Sequence, residues 1–159
     1  MATITFEIIT LDWTKANHKD FPIDHGVYQI YGTSPLYGMD TLLYIGQAQN
    51  LNSRIKDHIE FKEGVIGRQA NLTCRYAVAP KEQLNIIEQT LIVMYKPSFN
   101  SIGLKNVSQS VKEKGYYIQN HGERGLLNHE TTNFYFLNRN QLEKIVDENV
   151  DNNADQRLD

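Results

Sequence analysis

Five side chains between residues 28 and 88 have types and spacings that can do chemistry: Tyr28, Tyr44, Arg54, His58 and Glu88. Glu88 sits in the apolar-periodic run Lys81–Tyr95, four residues after Leu84 and three before Leu91, on the stripe that Leu84, Ile87, Leu91 and Met94 define. A carboxylate on a face meant for burial is costly unless it is paired or binds a metal. It is either a border residue reaching for water, or a ligand for a hard divalent cation or an acid–base group. Arg54 and His58 are four apart, so they stack on one face of a helix beside Leu51, Ile55 and Ile59. A guanidinium fork suits phosphate, and an imidazole moves protons near neutral pH. Taken alone, such a pair is ordinary solvated surface. Tyr28 and Tyr44 lie in the tripeptides Gly26-Val27-Tyr28 and Tyr44-Ile45-Gly46. Tyrosine is common in strands, but a glycine beside each phenol lets backbone or ligand approach closely.

These residues need strands and helices to hold them. Val27–Tyr31 and Leu42–Ile45 read as two strands of an antiparallel hairpin, joined by a loop over Thr33–Thr41. Asn50 is placed to cap a helix running to about Glu63, and Gly64 and Gly67 end it. Leu72–Val78 is a third strand. Pro80 opens the helix Lys81–Tyr95, and Pro97 stops it. Thr3–Thr10 reads as a strand or entry segment, Tyr116–Gln119 and Asn133–Leu137 as strands about the polar loop Asn120–Glu130, and Gln141–Val150 as a last helix. The remainder, 151–159, reads as an acidic disordered tail. The expectation is therefore one domain over 1–150, with a core over 26–100 and an extension over 103–150.

Composition bounds the rest. The chain has 159 residues, 40% hydrophobic and 22% charged, which is enough to bury a core without staples. Cys74 is the single cysteine, so no intramolecular disulfide forms and a reducing compartment is expected. No apolar run approaches a membrane span, and the N-terminus has no basic stretch of a signal peptide, which together suggest the cytoplasm. The net charge of −3 hides a layout: residues 51–114 carry a cationic excess and residues 141–159 an acidic one. The cationic middle fits attraction to a polyanion. His121, His129 and Glu130 match no metal-ligand spacing, and read as loop residues. The aromatic residues near 116 and 134 alternate with polar ones and read as sheet core.

Gly-Val-Tyr (26–28), Tyr-Ile-Gly (44–46), Gln-Ala-x-Asn-Leu-x-x-Arg (47–54), His58, Glu88 and Pro-Ser-Phe-Asn (97–100) together resemble the GIY-YIG nuclease superfamily. The resemblance covers residues 26–100. It implies an α+β fold: a small antiparallel sheet of three core strands flanked by helices, here followed by a C-terminal strand and helix extension. It implies that Tyr28, Tyr44, Arg54, His58 and Glu88 line a catalytic site, that Glu88 holds one Mg²⁺ or Mn²⁺, and that Gly46, Gln47 and Asn100 support it. Arg54, Lys56 and Arg68 are the expected DNA contacts. Gln47 stands where many members have Lys, and His58 where the excision-repair incision subunit has Tyr; restriction-type members are similar to this chain in having His.

The function implied is metal-dependent hydrolysis of DNA phosphodiester bonds, of a restriction type, acting as a homodimer on a palindrome. A structure-directed or nicking phage or repair nuclease is the alternative, as is a non-cleaving nucleic-acid-binding module on the same fold. The expected roles are Tyr28 meeting the attacking water, His58 accepting the proton and Tyr44 orienting, although the sequence does not separate Tyr28 from Tyr44. Arg54 clamps a phosphoryl oxygen.

Overall fold

A computed structural model describes residues 6–61, 65–100 and 115–132. Six strands and two helices occur in these segments: β1 (Phe6–Ala16), β2 (Gly26–Ser34), β3 (Gly38–Ala48), α1 (Leu51–Ile59), β4 (Thr73–Val78), α2 (Leu84–Tyr95), β5 (Gly115–Gly122) and β6 (Glu130–Thr132). They form one α+β sheet in the order β3-β2-β4-β1-β5-β6. This corrects the expected three-stranded antiparallel sheet. The antiparallel trio β3-β2-β4 is there, but β1 joins it antiparallel to β4 through Thr14–Ala16, and pairs parallel to β5 through Phe6–Trp13. A parallel pair joins segments over a hundred residues apart, so no local hairpin signal announces it.

The extension is locked on by one buried amide. Asn120 Oδ1 accepts from the Trp13 indole at 2.9 Å, and its Nδ2 donates to Asn128 O at 2.9 Å and Thr131 Oγ1 at 3.1 Å. The Asn thus ties β1, β5 and β6 together with its polar atoms satisfied, which is what burial requires.

Several boundaries also move. The β2–β3 turn is tighter than the expected loop, because Gly32 pairs with Thr41 and Ser34 with Gly38. Ser34 Oγ accepts from the N–H groups of Leu36 and Tyr37 at 3.2 Å, closing the turn. The helix expected to reach Glu63 ends at Ile59, with Glu60 as its cap; residues 62–64 lie outside the described residues. Its start is as expected: the Asn50 side chain accepts from Ser53 N at 3.0 Å. The helix after Pro80 begins as a 3-10 turn, Lys81–Gln83, before α2. β5 runs on to Gly122, into the expected polar loop. The expected strand Asn133–Leu137, the helix Gln141–Val150 and the tail 151–159 lie outside the described residues.

Strand alternation gives the sheet two buried faces. Tyr28, Ile30 and Cys74 pack with Leu51 and Ile55 of α1. Val27, Tyr31, Ile45 and Ala77 pack with Leu84, Ile87 and Leu91 of α2, together with Leu11, Trp13 and Tyr116. Each fully buried Leu or Ile contributes on the order of 1.5–3 kcal/mol. Met94, expected on the apolar stripe, is half-exposed. Among the described residues no helix is long and apolar enough to cross a membrane.

Candidate active site

Tyr28 and Gly46 are register partners on β2 and β3, so they share a face. A Cβ at Gly46 would collide with the Tyr28 hydroxyl and with the Tyr44 ring. The missing side chain is therefore what lets the Tyr28 phenol lie across β3 beside Tyr44. The two rings are 6.0 Å apart, and the His58 ring is 5.8 Å from Tyr28 and 5.4 Å from Tyr44.

α1 delivers the imidazole. Its Leu51/Ile55 stripe seats it on the sheet, which buries His58 to 4% exposure. His58 Nε2 and the Tyr28 hydroxyl pair at 3.1 Å, and His58 Nδ1 is buried without a hydrogen-bond partner. Burial first, and then the Arg54 cation, lower the His58 pKa to about 4, with Asp57 opposing. His58 is thus a neutral base at pH 7. Arg54, one turn earlier, lies close enough to both phenols for its cation to pull their pKa values down against the effect of burial. Its Nη1 also lies 3.6 Å from Asp57 Oδ2, a partner the sequence reading missed although the i,i+3 spacing was there to read. Burial pushes the Tyr28 phenol well above the usual range, and the Tyr44 phenol is raised for the same main cause.

Glu88 comes from α2. It is half-buried, and burial raises its pKa, partly offset by hydrogen bonds with the Gln47 side chain and backbone. Its charge acts on both phenols. Gln47 Nε2 also donates to Asn85 Oδ1 at 2.5 Å. Asn85, three residues before Glu88 on α2, was the second residue missed. Gln47 therefore fastens the carboxylate to β3.

Asn100 accepts from Ile45 N and donates to Ile45 O, both at 2.8 Å, and Phe99 N donates to Leu43 O at 2.9 Å. The chain after Pro97 thus pairs the outer edge of β3 where Tyr44, Ile45 and Gly46 lie, covering an edge that would otherwise be open. Lys56 and Arg68 are not drawn in. Lys56 points along a different flank of α1, and Arg68 is exposed at the end of the 3-10 turn Ile66–Arg68. His121 and His129 are exposed, and Cys74 is buried.

The donor set suits a hard divalent ion. Among the described residues no three His, Cys, Asp or Glu side chains converge, so the available hold is the single Glu88 carboxylate beside two phenol oxygens. A half-buried carboxylate whose charge is only partly compensated gains from a cation, and Mg²⁺ is commonly held by one or two carboxylates with water completing its shell.

Residues 24–100 match the GIY-YIG catalytic domain family. Over that segment, just under half of its length, the chain is similar to the GIY-YIG family. The UvrABC system protein C of Helicobacter hepaticus is 31% identical over 94 residues, which are 51% of this chain and 14% of that protein. The chain thus spans about a seventh of that curated relative. Among solved structures, the GIY-YIG N-terminal endonuclease domain of UvrC from Thermotoga maritima bound to magnesium has a TM-score of 0.42 and 25% identity, covering 53% of this chain and 91% of that one. An Asn-to-Ala variant of the same domain, also with its catalytic divalent cation, has a TM-score of 0.42 and 24% identity over 53% of this chain and 90% of that one. The GIY-YIG segment holds the phenols, the imidazole, the guanidinium and the carboxylate; β1, β5 and β6 lie outside it.

Proposed function

We propose that this GIY-YIG chain is a divalent-metal-dependent DNA endonuclease. The observation that carries the reading is the cluster itself: two phenols, a buried neutral imidazole 3.1 Å from one of them, and a guanidinium and a half-buried carboxylate whose charges act on both.

Hydrolysis of a phosphodiester needs a water deprotonated in line with the phosphorus, and charge neutralised on the phosphoryl oxygens. Tyr28 is the phenol that meets the water, because it is the one paired with His58. At rest the pair does not ionise: burial raises the phenol and lowers the imidazole. The Tyr28 proton therefore passes to His58 Nε2 only as the phenol takes the proton of the attacking water. Tyr44 orients, and Arg54 clamps a non-bridging phosphoryl oxygen with its fork. Gln47, itself hydrogen-bonded to Asn85, holds Glu88 in place. Glu88 would hold a Mg²⁺ or Mn²⁺, which when bound would supply the positive charge that the phosphoryl oxygens demand.

The finer reading concerns the product. Restriction-type cleavage requires two such sites across a duplex, hence a homodimer. The likeness to the UvrABC system protein C of Helicobacter hepaticus supports the structure-directed, nicking alternative. Supercoiled plasmid with Mg²⁺ decides between them. Discrete linear fragments mean paired, sequence-directed cutting, and open circles mean nicking. Plasmid left supercoiled with every divalent ion tried removes the endonuclease reading in favour of a non-cleaving DNA-binding module.

A further inference from the structure

On the opposite face of the sheet lies a second polar cluster, which the hydrolytic site does not use. Lys15, Arg75 and Gln29 stand in one cross-strand row on β1, β4 and β2, since Lys15 pairs with Arg75 and Arg75 with Gln29. Lys15, Tyr31, Asp40, Thr73, Arg75 and the loop residues Gly125 and Leu126 enclose an open cavity of about 310 Å³.

Its walls are fixed. Tyr31 donates to Gln29 Oε1, and its hydroxyl accepts from Leu126 N at 2.9 Å. Gln29 Nε2 donates to Arg124 O at 3.3 Å. Gly125, at a φ of +65°, lies so close that a Cβ would strike the Tyr31 hydroxyl and come to 3.2 Å from Arg75 Nε.

The Arg75 guanidinium lies 4.6 Å over the Tyr31 ring. Among the described residues it makes no ion pair and no side-chain hydrogen bond, and its Nε is buried with no partner. Arg124, beside Gly125, also has a buried and unpartnered Nε. Lys15 carries no ion pair among the described residues either, and Asp40 is the one acid of the lining. A stacked, half-buried guanidinium with its donors unspent is expensive unless an anion meets it, and a rigid fork beside an ammonium matches the oxygens of a phosphoryl group.

We propose that this cavity is a phosphoryl-anion site, with Arg75 as the fork and Lys15 as the second charge. Two sources present that chemistry: a phosphodiester of bound DNA, in which case the site rests on the nuclease reading and is a second grip on the duplex, or a free phosphate or mononucleotide. The experiment uses the full chain, with K15Q, R75M and R75K, each checked by circular dichroism. Inorganic phosphate and adenosine monophosphate are titrated calorimetrically. Binding of a fluorescent duplex is followed by anisotropy in EDTA at several salt concentrations.

A backbone site predicts that K15Q and R75M weaken the duplex about 5–10-fold, each lowering the log–log salt slope by about 0.9. R75K, which keeps charge but not the fork, falls between. A free-ligand site predicts saturable phosphate or mononucleotide binding that R75M and K15Q weaken, with duplex affinity unchanged. The proposal is overturned if folded K15Q and R75M bind phosphate, mononucleotide and duplex as the wild type does, which would leave a water-filled cavity. Lys15 is exposed, so K15Q keeps the test alive should R75M not fold. Anion binding that depends on Lys15 and Arg75 in a protein that never cuts DNA would sink the nuclease reading and spare the site; cutting with unaltered anion binding would do the reverse.

Discussion

Tyr28 and Tyr31 stand three residues apart on β2 and face opposite sides of the sheet. Each phenol crosses a glycine, Gly46 for one and Gly125 for the other, and each has a guanidinium beside it, Arg54 and Arg75. Yet the two regions differ in kind. Around Tyr28 the groups are mutually poised: an imidazole pairs with the phenol, and a carboxylate completes the set. Among the described residues, the surroundings of Tyr31 hold no base and no half-buried acid, only a hydroxyl spent on Gln29 and Leu126, two cations that make no ion pair, and the exposed Asp40. A tyrosine with an arginine is thus not a catalytic signature. The neutral base and the desolvated carboxylate equip the first region for proton transfer, whereas the second offers cations and a spent hydroxyl, which suit binding.

His58→Ala tests the sharpest side of that contrast. Single-turnover cleavage should fall about 10²–10⁴-fold, the usual contribution of a positioned proton acceptor, whereas R75M should raise the DNA concentration needed for half-maximal rate. The pH profile separates the regions further. Because the folded His58 pKa is lowered to about 4, the imidazole stays neutral as pH falls from 7 to 5 and charges only near 4. The rate should therefore show no limb at the ordinary histidine value of about 6.5. A limb there would mean that His58 is more solvated than the structure has it. The same shift makes the folded state bind fewer protons than the unfolded one below about 6.5, so His58 makes stability decline as pH falls from there towards 4.

The two glycines come next. Gly46→Ala pushes a methyl into the Tyr28 hydroxyl and Tyr44 ring, and should cost about 1–3 kcal/mol of stability by overpacking together with much of the rate. Gly125→Ala adds left-handed backbone strain to a similar collision, so it should destabilise at least as much, but with its functional loss in anion or DNA affinity. Denaturant melts beside cleavage and anisotropy assays read both. Equal loss of turnover in the two would erase the distinction between the regions.

The smallest effect on stability falls at Glu88, whatever its part in the rate. Its raised pKa means that folding disfavours the charge, so without divalent ion the protein gains stability as the carboxyl is protonated at low pH. Glu88→Gln removes the charge and can keep a hydrogen bond from Gln47. It should raise Tm by about 2–4 °C, the shift expected for roughly 1 kcal/mol in a chain of this size. A lowered Tm would mean that Gln47 compensates the charge fully.

The same comparison explains what the sequence disclosed. The Tyr28 region is assembled from β2, β3 and α1, contiguous in the chain, and from one helix further on, so ordered spacing was enough to gather its residues. What local spacing could not do was choose between the phenols; that needed the His58 pairing, which depends on how α1 seats on the sheet. Asp57 and Asn85 were in view, at i+3 from Arg54 and i−3 from Glu88, but small polar residues on helices rarely stand out. The Tyr31 region joins Lys15, Arg75 and Gly125, which meet only through strand register. The parallel β1–β5 pair stayed hidden for the same reason, since it is fixed by packing around Trp13 and Asn120 and by no turn motif.

The central claim, that the Tyr28–His58–Arg54–Glu88 cluster hydrolyses phosphodiesters, is tested most directly by single-turnover cleavage of plasmid DNA in Mg²⁺ by wild type and Glu88→Gln. Both proteins must first be shown folded. The account predicts cleavage by wild type that EDTA abolishes, and a loss of at least about 10³-fold in the variant, on the order of 4 kcal/mol of transition-state stabilisation. Equal rates for the two proteins, or cleavage that persists in EDTA, would contradict it.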